Sequence, residues 1–158
     1  MTQPIDPALT LKKELADRLI GVCVEALPGK AYGLVGGKDA YRPENLYPCS
    51  TNLRNTPEWK SLFEAFGDFY RDPDRGFVIS PEEQGQIMSQ IEARGESFIG
   101  VFHSHRFTSP DPTELDMAFH FGPHMFCYIV SVVKPDHPEL KIYRLEDSAF
   151  QDIPFRIV

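Results

Sequence analysis

A strongly apolar segment that ends in two histidines constrains the fold of this chain more than any other feature of its sequence. Residues 98–103 read FIGVFH and predict a buried β-strand, because aromatic and β-branched residues dominate the segment. In a strand, residues two apart point to the same face, so His103 and His105 present both imidazoles to one point in space. The chain must therefore fold around a strand that ends at a pair of potential metal ligands.

The segment after the histidines supplies a candidate third ligand. It reads RFTSPDPTELD and ends at Asp116, inside a brief helix predicted over residues 113–120. Two histidines and one carboxylate leave the fourth position of a zinc ion open for water, as a catalytic zinc site requires. The sequence therefore predicts a metal site formed by His103, His105 and Asp116.

Each part of this pattern also has an explanation that needs no metal. Five histidines are enough for two of them to fall two apart by chance in many chains, so the pair alone is a weak motif. Thr113 and Asp116 also resemble the capping pair that opens a helix after a proline, here Pro112. The whole pattern, from the apolar strand to the aspartate, is more specific than its parts and favours the metal site.

Charge and hydrophobicity argue against two classes of partner. The formal net charge is −7 and the basic residues are scattered, whereas nucleic-acid binding requires clustered lysine and arginine. The longest apolar stretch, residues 128–133, is far too short to span a membrane. Residues 1–7 lack the pattern of a signal peptide, and we expect residues 1–8 to form a flexible leader.

The cysteines favour a reducing compartment. Cys23, Cys49 and Cys127 are odd in number and widely spaced, so neither a disulfide framework nor a thiolate zinc site is indicated. Free cysteines are usually small core residues. We therefore expect a cytoplasmic protein.

Hydrophobic periodicity and capping patterns predict an α/β (α+β) fold. Residues 9–27 have the apolar spacing of an amphipathic helix. Ser80, followed by Pro81 and Glu83, predicts a capping box at the start of a second helix that ends near Ala93. The other predicted elements are strands over residues 31–37, 45–50, 77–79, 126–133, 140–144 and 150–158, and an ambiguous, partly helical segment over residues 57–70. No repeat or linker interrupts the pattern, so we expect residues 9–158 to form a single domain.

Several of these segments together resemble one known family. The pattern H-[ST]-H-x7-S-x2-D is the hallmark of the JAMM metallopeptidases, also called MPN+ or JAB, and residues 103–116 match it with Thr113 in place of serine. Residues 28–37 (PGKAYGLVGG) are similar to the family's first strand, which usually reads P-x-E-x-C-G-L-L-x-G. Residues 77–83 resemble its strand and helix before the histidines, and residues 128–133 resemble the strand after the metal site. The short chain looks like the small bacterial members.

This resemblance implies a cytidine-deaminase-like JAMM domain with a curved mixed β-sheet flanked by helices. It also implies a zinc-dependent metallopeptidase that hydrolyses peptide or isopeptide bonds at the C-terminal tail of a ubiquitin-like or sulfur-carrier protein. Zinc would be held by His103, His105 and Asp116, and Thr113 would support the oxyanion as the family serine does. A threonine hydroxyl can make the same hydrogen bond with one additional methyl group to accommodate.

The chain departs from the family at the position of the catalytic base. The family has a glutamate three residues before the first glycine of its first strand, and this chain has Lys30 there. An ammonium group cannot accept a proton, although a neutral lysine can. Glu25 and Asp111 are alternative carboxylates, but neither occupies the motif position. The alternative function is accordingly a zinc-binding scaffold of the MPN type with weak or no activity.

Three further residues near the motif have expected structural roles. Ser104 points to the face opposite the two histidines, and we expect it to support the adjacent loop. His120 and His124 flank a Phe-Gly-Pro segment. Packed or exposed rings are the usual role of such histidines, and a contact behind a metal ligand is the alternative.

Overall fold

The computed structural model of the protein describes residues 8–118, 120, 122 and 124–158, without the side chain of residue 118. Residues 1–7 of the expected leader and residue 119 of the predicted brief helix lie outside this description. The elements in chain order are β1 (Leu9–Leu11), α1 (Lys13–Glu25), β2 (Tyr32–Gly37), β3 (Pro43–Pro48), α2 (Pro57–Glu64), a 3-10 turn (Asp68–Arg71), α3 (Pro81–Ala93), β4 (Ser97–His105), α4 (Glu114–Ala118), β5 (Phe126–Ser131), β6 (Glu139–Glu146), β7 (Ala149–Asp152) and β8 (Phe155–Ile157).

Six of these strands form one mixed sheet in the order β3-β2-β4-β5-β6-β7. β4 pairs antiparallel with β2 and parallel with β5, and the other neighbouring strands of this sheet are antiparallel. Every residue of β2 and β5 is buried, as expected for strands covered on both faces. The strand with the two histidines therefore lies in the middle of the sheet between two buried neighbours.

The two long helices cover opposite faces of this sheet. Leu15, Leu19 and Cys23 of α1 belong to the same apolar cluster as Phe102 of β4. Ile87 and Ile91 of α3 belong instead to the cluster that contains Val101 and Ile129. Because side chains alternate along a strand, His103 and His105 share the face of Val101. A mixed sheet flanked by helices confirms the predicted α/β (α+β) fold class.

The second sheet corrects the prediction for the first segment. Leu9–Leu11 is not the start of a helix but a strand that pairs in parallel with Phe155–Ile157. Leu9 and Leu11 are both buried in the cluster beneath α1. The spacing of the leucines fits a helix as well as a strand, and only the pairing with β8 distinguishes them. The helix begins at Lys13, after an extended Lys12.

Two other predicted strands also differ from the structure. Residues 77–79 are extended but join no ladder, because the Val78 N–H donates to the Asn52 side chain and the Val78 carbonyl accepts from Leu53. The segment over residues 150–158 is divided between two sheets, since Pro154 cannot donate to a ladder. The first part extends the edge of the large sheet, and the second part pairs with β1.

The start of α3 is only half a capping box. The Ser80 hydroxyl accepts from the Glu83 N–H at 3.1 Å, as predicted. The Glu83 carboxylate does not return to Ser80 but accepts from the backbone N–H groups of Ser50 and Thr51. The Ser80 N–H donates to the Thr51 hydroxyl at 3.0 Å. Glu83 therefore fastens the chain after β3 to the helix.

The remaining predictions differ mainly at element boundaries. The ambiguous segment over residues 57–70 contains α2 and the beginning of the 3-10 turn, and the strand predicted over residues 45–50 starts and ends two residues earlier. Within the described part of the chain, no helix combines the length and the hydrophobicity needed to cross a membrane.

Candidate metal centre

Three potential ligands converge where β4 ends. The Nε2 atoms of His103 and His105 are 3.1 Å apart. Each lies 3.0 Å from a different carboxylate oxygen of Asp116. One donor atom from each of the three residues lies within 4.8 Å of the other two. The structure therefore brings together the three residues that the sequence predicts as metal ligands.

The local structure explains how each side chain is positioned. Strand β4 holds His103 and His105 on one face, and both side chains are buried. Asp116 lies in the first turn of α4, where its carboxylate accepts from the Thr113 N–H at 2.9 Å and its own N–H donates to the Thr113 hydroxyl at 3.2 Å. The capping pair and the convergence on the histidines, which the sequence leaves as alternatives, thus occur together.

The hydrogen bonds of His105 show that this group fits a cation. Its Nδ1 lies 2.8 Å from the Ser109 carbonyl oxygen, which can only accept, so Nδ1 carries the hydrogen. In the neutral ring, Nε2 then has a lone pair that faces Asp116 at 3.0 Å. Two acceptors at this distance require a proton or a metal ion between them. Two imidazole nitrogens and one carboxylate oxygen are ligands that zinc commonly takes, so the residues fit a zinc ion.

The pKa values of His105 and Asp116 reflect a competition between burial and the contact between the two side chains. Burial lowers the pKa of His105, but the hydrogen bond and the charge of Asp116 outweigh burial and raise it. Burial likewise disfavours the ionised form of Asp116, yet the facing imidazoles hold the pKa of this carboxyl well below its usual range. The pocket thus favours the ionised form of the Asp116 carboxyl.

Lys30 lines the same cavity as the three converging residues. Its ammonium donates to the Gly76 carbonyl at 2.6 Å. Burial, followed by the charge of Arg106, lowers the pKa of Lys30 to about 7. The alternative carboxylates do not line this cavity: Glu25 is exposed, and the exposed Asp111 accepts from Ser109 and Lys141.

Three cations hold the loop formed by residues 70–76, which we call the clamp loop. Buried Arg54, only 1% exposed, donates to the carbonyls of Tyr70, Asp72 and Arg75. Arg106 donates to the Asp74 carbonyl and to the Pro28 carbonyl, and Lys30 donates to Gly76 as described. The loop is therefore tied both to the segment before β2 and to the segment after β4.

The cavity between the clamp loop and β4 has a volume of about 430 Å³. This volume suits a few residues of an extended peptide or a small ligand. Several aromatic side chains line it, namely Trp59, Phe69, Tyr70, Phe77 and Phe107. Phe69 and Phe107 are about half exposed, and the Arg75 guanidinium lies 3.5 Å from the centre of the Phe69 ring. An apolar wall with cationic groups thus surrounds the candidate metal centre.

Thr113 also lines this cavity, whereas Ser104 has a different contact from the expected one. The Ser104 hydroxyl accepts from the backbone N–H of Ala31 at 2.9 Å, so it ties β4 to the beginning of β2 rather than supporting the adjacent loop. Because Lys30 precedes Ala31, this contact helps to place the lysine beside the cavity.

His120 lines the cavity as well, although its sequence position indicated an ordinary packed or exposed ring. Its ring packs edge-on against Phe150, with ring centroids 5.1 Å apart. Its Nε2 lies 2.8 Å from the Met125 carbonyl. It follows no motif spacing, and only the path of the chain between α4 and β5 reveals its location.

Comparison with known proteins supports the relation suggested by the sequence. A family model for prokaryotic homologs of the JAB domain matches residues 12–146. The CysO-cysteine peptidases of Mycobacterium tuberculosis and Mycobacterium bovis are each 25% identical to this chain over 151 residues, which cover 95% of this chain and 91% of the relative. The likeness therefore extends over nearly the full length of both chains.

Solved structures share the fold at low sequence identity. A protein from Desulfitobacterium hafniense, 24% identical, has a TM-score of 0.70 over 94% of this chain and 93% of its own. A JAB1/MPN domain protein from Archaeoglobus fulgidus, 16% identical, has a TM-score of 0.56 over 96% of this chain and 98% of its own. The arrangement of sheet and helices is thus one already seen in JAB1/MPN domains.

Proposed function

The chain belongs to the family of prokaryotic homologs of the JAB domain, and on that basis we propose that it is a zinc-dependent metallopeptidase of the JAMM type. The convergence of His103, His105 and Asp116 carries this proposal, because the Nε2 atoms of both histidines face the same carboxylate at 3.0 Å. Two nitrogens and one oxygen leave a zinc ion an open position for catalysis.

We propose a sulfur-carrier or ubiquitin-like protein as the substrate, with cleavage at the adduct on its C-terminal tail. The name of the mycobacterial relatives, CysO-cysteine peptidase, supports a carrier protein that bears a small adduct. A cavity of about 430 Å³ lined by aromatic side chains is compatible with an extended tail of a few residues.

The residues around the metal centre have separate roles in this reaction. Bound zinc would supply Lewis-acid polarisation of the scissile carbonyl and activation of water. The Thr113 hydroxyl accepts from the Asp116 N–H, so its own hydrogen remains available to an oxyanion. The Ser109 carbonyl fixes the orientation of the His105 ring through Nδ1.

One observation favours the alternative function of a weakly active or inactive MPN-type scaffold. Lys30 occupies the position of the family glutamate, and its ammonium is engaged by the Gly76 carbonyl. A protonated lysine cannot take a proton from water. The alternative predicts metal binding without hydrolysis.

Elemental analysis combined with a cleavage assay tests the proposal. Purified protein is loaded with zinc, freed of excess metal, and mixed with carrier proteins that bear a short C-terminal peptide. We expect about one zinc per chain and release of the peptide for the wild type. His103→Ala should neither retain zinc nor release the peptide. Full zinc occupancy without cleavage of any carrier fusion supports the scaffold, and absence of stoichiometric metal contradicts both functions.

A further inference from the structure

We propose that His120 takes the place of the absent glutamate and accepts the proton of the attacking water during peptide hydrolysis. This inference rests on the proposed peptidase function and adds to it the residue that acts as the base. Neither the motif nor the family resemblance assigns any role to this histidine.

The hydrogen bonding of His120 fixes which ring nitrogen is basic. Nε2 lies 2.8 Å from the Met125 carbonyl oxygen, which can only accept, so Nε2 carries the hydrogen. In the neutral ring, Nδ1 then has the free lone pair. This atom is buried and has no hydrogen-bond partner among the residues that the structure describes. Buried polar atoms are nearly always paired, so an unpaired acceptor in a cavity indicates a role with a ligand.

The position of the ring suits a base rather than a ligand. His120 lines the cavity that contains His103 and Asp116. It does not belong to the group whose donor atoms lie within 4.8 Å of one another. The edge-on contact with Phe150 and the bond to Met125 hold the ring in place. Burial lowers the pKa of His120, which keeps the ring neutral and able to accept a proton at neutral pH.

The other proton acceptors of the cavity are less suitable. Both carboxylate oxygens of Asp116 face the two imidazoles and belong to the proposed metal site. Asp74 is exposed at the rim. Lys30 must first lose a proton and leave the Gly76 carbonyl. The buried Nδ1 of His103 also has no partner among the described residues, but His103 is one of the three proposed metal ligands. Outside that group, His120 is the described residue of the cavity whose unpaired ring nitrogen is buried and whose ring is held in place.

The proton transfers of this mechanism balance. The water oxygen forms a bond to the carbonyl carbon while one water proton passes to Nδ1 of His120. The C–N bond then breaks, and the same proton moves from Nδ1 to the departing amine nitrogen. The second water hydrogen remains on the new carboxyl group. The products are one carboxylic acid and one amine, and His120 returns to its neutral form.

The first test observes the ring without any catalysis. Nitrogen-15 NMR of the metal-free protein, with the His120 signals assigned by comparison with His120→Phe, reports which nitrogen carries the hydrogen. We expect a neutral ring protonated at Nε2 at pH 7. A ring protonated at Nδ1, or a ring that carries both protons at pH 7, overturns the proposal.

The second test compares zinc-loaded wild type, His120→Phe and His120→Gln on the same carrier–peptide fusion. Phenylalanine preserves the packing against Phe150, and glutamine preserves polarity without a basic nitrogen. We expect kcat to fall by about a hundredfold to ten-thousandfold in both variants, with unchanged zinc content. The control is His137→Phe, at an exposed turn before β6, which should match the wild type.

The outcomes of this comparison distinguish a failure of the base assignment from a failure of the proposed peptidase function. Wild-type activity that persists in a folded His120 variant overturns the base assignment and leaves the peptidase function standing. Loss of zinc in both variants shows that His120 holds the metal, which also overturns the assignment. An inactive wild type with full zinc occupancy contradicts the proposed function itself, and the assignment falls with it.

Discussion

Ser104 and Ala31 are joined twice, by the hydroxyl of Ser104 accepting from the Ala31 N–H and by the Ser104 N–H donating to the Ala31 carbonyl, each at 2.9 Å. Ser104 separates the two histidines, and Ala31 follows Lys30 in the chain. This double contact therefore helps to fix the position of the lysine relative to the end of β4 that carries the candidate metal centre.

Replacing Ser104 with alanine should destabilise the protein by about 1–3 kcal/mol, because the N–H of Ala31 is left buried without an acceptor. Urea unfolding measures this change. The control is Ser109→Ala, whose exposed hydroxyl bonds only to Asp111, with an expected effect within about 0.5 kcal/mol. Equal stability of the two variants contradicts the role assigned to the double contact.

Removal of one ligand should abolish stoichiometric zinc. We expect about one zinc per wild-type chain and less than about a tenth of that in His103→Ala and Asp116→Ala, since three-ligand sites tolerate little loss. Elemental analysis after zinc-replete purification gives the result. His137→Ala, at an exposed histidine, should retain the metal. Retention of a full equivalent by either ligand variant argues against the predicted site.

In the His120→Gln variant, changing Lys30 to glutamate should raise hydrolysis by about a hundredfold or more, because the carboxylate replaces the base that this variant lacks. Comparison of His120→Gln with the His120→Gln/Lys30→Glu double variant measures this gain. The Lys30→Glu change should also strengthen zinc binding, since an anion replaces a cation near a dication. The same assay compares wild type, Lys30→Glu and Lys30→Ala on one carrier fusion. A large loss in Lys30→Ala that Lys30→Glu does not recover means that the lysine itself participates, which contradicts the scaffold function and the role of His120.

The lowered pKa of Lys30 predicts a particular pH dependence of stability. The folded-state pKa is about 7, below the usual lysine value of 10.5, so between these values the unfolded chain binds more protons than the folded protein. The free energy of unfolding should therefore rise with pH across this window, by up to about 1 kcal/mol per pH unit relative to Lys30→Met. Urea unfolding of metal-free protein at pH 7, 8 and 9 measures the slope. Lys60→Met, at an exposed lysine of α2, should keep the wild-type slope.

Replacing buried Arg54 with methionine should loosen the clamp loop. The carbonyls of Tyr70, Asp72 and Arg75 lose their donor, at a cost on the order of 2–4 kcal/mol. Hydrogen exchange should accelerate in residues 70–80 and remain slow in β5. Arg71→Met, which removes only an exposed pair with Asp68, should change stability by less than about 1 kcal/mol. Uniform acceleration along the whole chain means that Arg54 supports the fold in general.

The elements that local patterns define were predictable from the sequence. Strand β4 was predictable, because a continuous run of apolar residues marks its location. The two-residue alternation of a strand then places His103 and His105 on one face. The helix over Pro81–Ala93 was also predictable, because Ser80 and Pro81 mark its start. The strand Leu9–Leu11 was not predictable, since its partner strand lies far away in the sequence and the leucine spacing alone fits a helix.

The surroundings of the candidate metal centre were less predictable than the three residues that converge there. The motif identified Lys30 as the departure from the family, but nothing local indicated that its ammonium binds Gly76, which is remote in sequence. His120 follows no spacing that the motif defines, and its location depends on the turn that leads from α4 into β5. Contacts between segments distant in sequence depend on the whole fold, and one sequence without its structure does not specify them.

The β1–β8 pairing affects the order in which the protein can assemble. The first backbone N–H of α1, that of Lys13, donates to the Val158 carbonyl at 2.8 Å, and the Val158 N–H donates to the Leu11 carbonyl at 3.0 Å. Such contacts between distant segments form slowly, because the entropy of closing a long loop is lost before the contacts contribute favourable free energy. On the ribosome, α1 emerges early, but its Lys13 N–H can bond to the Val158 carbonyl only after β8 has been synthesised. All three proposed metal ligands are translated in between, so a nascent chain carries the complete candidate ligand set while its first helix still lacks its final contact.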